Sequence, residues 1–234
     1  MLTLGYTSVP ALLKYLRHAE ALGLDLEAAR NAAGVTLEDL ADNGRRIPSE
    51  AHERLLQHLM QVSGDPLFGL HSARYVQPGS WSVLGYITMN CANLGEAMSR
   101  IAPYEKLVGD MGVSSIEALA DHVRLIWTCR HEKPLIRRHM VENVLASWLL
   151  YARWIADMDR SPQAVWFEHA QPADTSLAEY EAVFGCSVLF EQPCSALLVP
   201  LAYLAVPLRQ ADVCQIPPRG RHIGSAGTYD RGSL

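Results

Sequence analysis

The residues of this chain best able to do metal or nucleophilic chemistry are its nine histidines and five cysteines. His52 and His58 lie six positions apart, so they do not share one helix face as the paired histidines of a metallohydrolase helix do. The run His131, Glu132, His139 and Glu142 lacks zinc-ligand spacing, and Cys91, Cys129, Cys186, Cys194 and Cys214 are scattered too widely for a cysteine pair on zinc. No metal or cofactor is expected. There is no Gly-x-Ser-x-Gly elbow, phosphate loop or dinucleotide fingerprint. A cysteine nucleophile, Cys91 paired with a distant histidine, is the one catalytic option left. Scattered cysteines are more often small buried apolar groups. The expectation is therefore a non-enzyme without catalytic residues, with a small cytoplasmic cysteine-based enzyme as the alternative.

Binding chemistry is better represented. Arg74, Trp81, Tyr86 and Tyr104 combine polar tips with aromatic surface, the mixture that lines sites for small polar metabolites. Trp148, Trp166 and His169 form a second candidate group. Each has a plainer reading: Trp81 and Tyr86 as core packing, Arg74 as a solvated helix end, and His169 as a hydrogen-bonded structural histidine.

The text LEAARNAAGVTLEDL mimics a helix-turn-helix, with Gly34-Val35 at the turn. Arg30 falls where the first helix needs a small buried residue. The would-be recognition helix would point Glu38, Asp39 and Asp42 at phosphates, which repel them. A helical hairpin packed on its neighbours is the better reading. The net charge of −5 likewise argues against nucleic-acid binding by this chain, which needs a basic face.

The elements that must position these residues follow from periodicity and caps. Leu12, Leu16 and Ala19 recur at helical spacing and Gly23 follows them; Thr36 and Asp39 bracket a helix start; Ser49 opens a helix that Gly64 closes. Asp65-Pro66 is read as the start of a helix through Arg74. Gln77-Pro78-Gly79-Ser80 is a turn, Trp81 to Cys91 an apolar helix, and Asn93 with Glu96 another start, interrupted by Pro103. Ser114 to Ala120 and His122 to Thr128 alternate as paired strands. Pro134 to Asp157 is a long helix. Strands at Ala164 to Glu168, Val188 to Phe190 and Leu197 to Val199, with a helix from Ser176 to Phe184, complete the pattern. The fold class is α+β: a helical lead-in subdomain over 1–76, a mixed domain of helices and antiparallel sheet over 77–209, and a disordered tail over 210–234 rich in Pro, Gly and Arg.

Hydrophobic residues make up 49% and charged residues 19% of the chain, as in a globular protein. No window is apolar enough for a membrane span, the start does not resemble a signal peptide, and the odd cysteine count suits a reducing cytoplasm.

Two blocks, GDPLFGLHSARYVQPGSWSVLGYITMNCANLGEAMSRIAPYEKLVGD and PQAVWFEHAQPADTSLAEYEAVFGCSVLFEQPCSALLVPLAYLAVPLRQAD, carry a family likeness. Their order of Gly-Asp-Pro, Pro-Gly-Ser, Leu-Gly-Tyr and Leu-Gly-Glu-Ala, then His, Pro, Tyr and Phe-Gly, resembles the large N-terminal effector-binding domain of AraC/XylS transcriptional regulators. The resemblance implies a cytoplasmic domain that senses a small-molecule effector, often an amino acid or related metabolite, and helps form a homodimer. It also implies that DNA is reached only through a helix-turn-helix domain downstream. After Asp212 the text departs from the family, and Ala205 stands where an acidic residue is expected. The reading is a truncated or frame-shifted regulator.

Overall fold

A computed structural model describes residues 5–210; the tail read over 210–234 lies, past its first residue, outside the described residues. Strand β1 (Tyr6–Ser8) runs into helix α1 (Val9–Ala21), whose start is capped by the Ser8 hydroxyl accepting from the Ala11 amide at 3.4 Å. Helices α2 (Leu26–Ala33) and α3 (Leu37–Ala41) follow. Asp25 caps α2, and Thr36 and Asp39 satisfy each other's backbone in a capping box. The text that mimics a helix-turn-helix is this helical hairpin, with Gly34 at φ +69° between the helices.

Strand β2 (Arg46–Pro48) pairs antiparallel with β1. This ribbon is absent from the all-helical reading of the region, because three-residue strands show no alternation. Helix α4 (Ser49–Ser63) ends at Gly64, again left-handed at φ +63°. Helix α5 (Phe68–Ser72) starts later than Asp65-Pro66 suggests. Asp65 Oδ1 accepts from the Leu67 amide at 2.8 Å and shapes the approach to the helix. Ala73 and Arg74, expected to close that helix, lie instead in a 3-10 turn, Ala73–Tyr75.

After a second 3-10 turn at Pro78–Trp81 come α6 (Ser82–Met89), α7 (Leu94–Ser99) and α8 (Ile101–Tyr104). The break at Arg100 fits Pro103, whose ring would collide with the carbonyl of Ser99 in a continuous helix. The hairpin β3 (Gly112–Ala118) and β4 (His122–Cys129) precedes the 23-residue helix α9 (Pro134–Ala156). Then follow β5 (Ala164–Trp166), α10 (Leu177–Phe184), β6 (Val188–Leu189), β7 (Ala196–Pro200) and α11 (Leu201–Leu204).

The larger sheet has the order β3-β4-β7-β5-β6. It is α+β as expected and antiparallel except at one edge, where β6 runs parallel to β5, Val165 opposite Val188. The antiparallel expectation fails there because α10 lies between the two strands in sequence and returns the chain in the same direction.

One apolar cluster joins α1 (Leu12, Leu16), α4 (Leu55, Leu59) and Phe68 to Met140 and Leu145 of α9 and to Val165 beside it. Each fully buried leucine here contributes roughly 1.5–3 kcal/mol. A second cluster packs Trp81, Leu84 and Leu94 on Tyr151 and Ile155, one helical turn apart near the end of α9. Because α9 is covered on several sides, it also buries polar groups. Asn143 Nδ2 offsets part of that cost by donating to Gly69 O at 2.9 Å and Ser72 Oγ at 3.0 Å.

Candidate effector cavity

Between α1, α6, α8, α9 and the β3-β4 hairpin lie two adjoining chambers, which share Trp81, Leu84, Ile101 and Trp148 in their walls. One, of about 100 Å³, is bounded by apolar side chains of α6, α7 and α9. The other, of about 90 Å³, has Lys14, Tyr15, His52, Glu105 and Ser114 in its wall. Hydrocarbon fits the first and directed polar groups line the second, the division typical of metabolite sites.

Lys14 dominates the polar chamber. It is only 3% exposed because α1 is covered on nearly every side. Its ammonium lies 4.8 Å from the Trp81 ring centroid and 5.5 Å from that of Tyr15. Burial pulls its pKa from 10.5 down to about 7, and no carboxylate among the described residues pairs with it. His52 is buried too, and burial followed by the Lys14 charge lowers its pKa to about 3, so the ring is neutral. Among the described residues, neither nitrogen of His52, nor Trp81 Nε1, nor Ser114 Oγ has a hydrogen-bond partner. Across the chamber Glu105 Oε2 accepts from the Ser114 amide at 2.8 Å, and burial raises its pKa despite that bond. A cation, unpaired donors and a carboxylate on the wall of one small cavity suit a ligand carrying both charges.

Of the residues singled out in the sequence, the structure brings Trp81 and Trp148 together on this cavity. Tyr86 lies on a separate surface groove with Arg17 and Gln77. Arg74 is exposed and donates through Nε to His71 O at 3.0 Å, and Tyr104 is exposed at the end of α8. Trp166 packs on the other side of the sheet with Arg124 over its ring at 5.4 Å. The His169 ring lies tilted against Phe167, 4.9 Å between centroids, and 3.6 Å from Glu142.

Lys14, Glu105 and Ser114 do not stand out in the sequence, and His52 stands out there only as a histidine without metal-ligand spacing. One signal was available for Lys14: VPALLKYLRHA is apolar around most of its helical circumference, so a lysine within it has little access to water. Glu105 and Ser114 carry no such mark.

The described cysteines do not resemble nucleophiles. Burial raises the thiols of Cys91 and Cys194, and pushes those of Cys129 and Cys186 up to about 11. An activated thiol needs the opposite shift.

The sequence profile of the N-terminal arabinose-binding domain of AraC transcription regulators matches residues 23–208. The chain belongs to this family. Lys14 precedes the matched span of this AraC-type domain, whereas Trp81, Glu105, Ser114 and Trp148 lie inside it. The domain is 26% identical over 204 residues to the ornithine utilization regulator of Pseudomonas aeruginosa, covering 83% of this chain and 59% of that protein. Its fold is similar to the crystal structure of the transcriptional regulator CdpR from the same species, with a TM-score of 0.58 at 16% identity, over 80% of this chain and 57% of that one. The chain thus spans somewhat more than half the length of these relatives, both of which are regulators. Among the described residues, no helix is long and apolar enough to cross a membrane.

Proposed function

We propose that this AraC-type domain is a non-enzymatic effector sensor of the cytoplasm whose ligand is a small α-amino acid or a close relative. The observation that carries this reading is Lys14, a buried ammonium on the wall of a cavity with no counter-ion among the described residues. The ligand carboxylate sits against Lys14 with Trp81 Nε1 as a donor, its amine faces Glu105, and its side chain extends past Trp81 and Trp148 into the apolar chamber. The name of the ornithine regulator, a relative at 26% identity, supports an amino-acid class. Homodimer formation, and DNA contact only through a separate domain, belong to the same reading. Occupancy then shifts the population of two arrangements of the regulator.

A thermal-shift screen tests it. Amino acids, ornithine included, are compared with amines and carboxylic acids of matched carbon skeleton. Compounds bearing both charges raise the melting temperature, by an amount equivalent to about 2.7 kcal/mol at a hundredfold excess over Kd. Stabilisation by the amines alone, or by no carboxylate-bearing compound, refutes the assignment.

The lowered pKa of Lys14 also sets a pH dependence. A bound carboxylate favours the protonated lysine, so affinity declines as pH rises above about 7, where the unliganded lysine loses its proton. His52 is neutral throughout this range. Calorimetry near neutral pH in two buffers of different ionisation heat should register proton uptake on binding; none would place the carboxylate elsewhere.

A further inference from the structure

A second cluster of ligand-type groups lies away from the cavity. His18 of α1, Asp65 of the turn after α4, and His71 of α5 each offer one donor atom, and these atoms all lie within 4.8 Å of one another. Asp65 Oδ2 is 2.8 Å from His71 Nδ1 and 3.6 Å from His18 Nε2. Asp65 Oδ1 is occupied by the Leu67 amide, so Oδ2 is the oxygen left to face both rings.

The His71–Asp65 hydrogen bond explains two of the three residues. It does not explain His18, which is 3% exposed and has no hydrogen-bond partner at either ring nitrogen among the described residues. A buried imidazole without partners is costly, yet this one turns Nε2 toward a carboxylate. The rings of Phe68 and Tyr75, 4.8 Å and 5.6 Å away, hold it in place. Of the charged neighbours, Glu142 interacts with His71, Asp65 and Arg138, and the Arg138 guanidinium is directed to Pro66 O and His139 Nε2, each at 2.8 Å.

We propose that His18, Asp65 and His71 form a binding site for a divalent transition ion of the zinc class. Two imidazoles and a carboxylate are the donor set such ions take, with water completing the coordination. The site is distinct from the effector cavity, since none of the three residues lines either chamber. The bound ion would tie α1 to the α4–α5 turn and α5, elements far apart in sequence, and so stabilise the folded domain.

The test uses untagged protein treated with a chelator and dialysed. Titration with Zn²⁺ should give one saturable site per chain and raise the melting temperature. Co²⁺ should give the visible absorption of a four- or five-coordinate ion. His71→Gln, at a partly exposed position, should lower the affinity by at least about tenfold while leaving the melting temperature of the metal-free protein nearly unchanged. Asp65→Asn provides a second check with the same expected loss of affinity. The proposal is overturned if wild type shows no stoichiometric site at micromolar metal, or if both variants bind as wild type does. Effector stabilisation by an amino acid does not depend on this outcome, so the two readings fail separately.

Discussion

Lys14→Met is expected to stabilise the ligand-free domain while abolishing its response to effector. The wild-type lysine falls from 10.5 to about 7 on folding. At 1.36 kcal/mol per pH unit this corresponds to a penalty of about 5 kcal/mol as an upper bound. Methionine keeps the unbranched stem, fills the same space beside Trp81 and Tyr15, and carries no charge. Between pH 7 and 10.5 the unfolded chain holds the proton that folded Lys14 has released. The penalty is therefore full below pH 7 and fades as pH rises through this window. The stability difference between variant and wild type should be largest near pH 6 and shrink toward pH 10. Taking that difference cancels the buried thiols of Cys129 and Cys186, which titrate in the alkaline range in both proteins. Urea unfolding at several pH values provides the measurement. A variant less stable than wild type at pH 6 would show that the ammonium is already compensated, and would remove the basis for an anionic ligand.

Gly85→Ala should damage the fold more than any conservative surface change. The added Cβ would lie 1.9 Å from Pro78 O and 2.8 Å from its carbonyl carbon, both backbone atoms. α6 must therefore separate from the Pro78–Trp81 turn. The same glycine's carbonyl accepts from the Tyr151 hydroxyl of α9 at 2.6 Å and from Thr88 Oγ1 within α6 at 2.9 Å, so displacement also disturbs the buried hydrogen bond that ties α6 to α9. We expect a loss of roughly 3 kcal/mol or more, a fall in melting temperature of roughly 6–12 °C for a domain of this size. Urea unfolding checks it, since a lowered midpoint with unchanged slope isolates stability from compactness. A loss within about 1 kcal/mol would mean the helix and turn separate easily, and that the Leu-Gly-Tyr segment has no packing requirement for glycine.

The helix starts at Thr36, Asn93 and Ser176 and the stops at Gly34, Gly64 and Gly185 follow from a few neighbouring residues, and the structure has them where the text places them. The β3-β4 hairpin and α9 are equally legible, because periodicities of two and of 3.6 are local properties of the chain. The family likeness was carried by Pro-Gly-Ser and Leu-Gly-Tyr, and the contact of Gly85 with Pro78 gives those words a steric reason.

The site is a different matter. Trp81 and Trp148 were identifiable as large amphipathic side chains, but nothing in their spacing ties them to Lys14, Glu105 or Ser114. Nor does spacing connect His18 to Asp65 and His71, which is why a search for metal-ligand patterns along the chain passes over them. The sequence alone determined most of the longer elements, several of their caps and the family likeness, because those depend on neighbours within a turn or two; the three-residue strands β1 and β2 and the 3-10 turn at Ala73–Tyr75 left no such local mark. Only the tertiary structure decided that Lys14 loses water without gaining a carboxylate, and that three ligand-type groups from separate elements converge. Burial and juxtaposition arise when α1 packs among α4, α5 and α9, and chain order does not encode that packing in any local pattern.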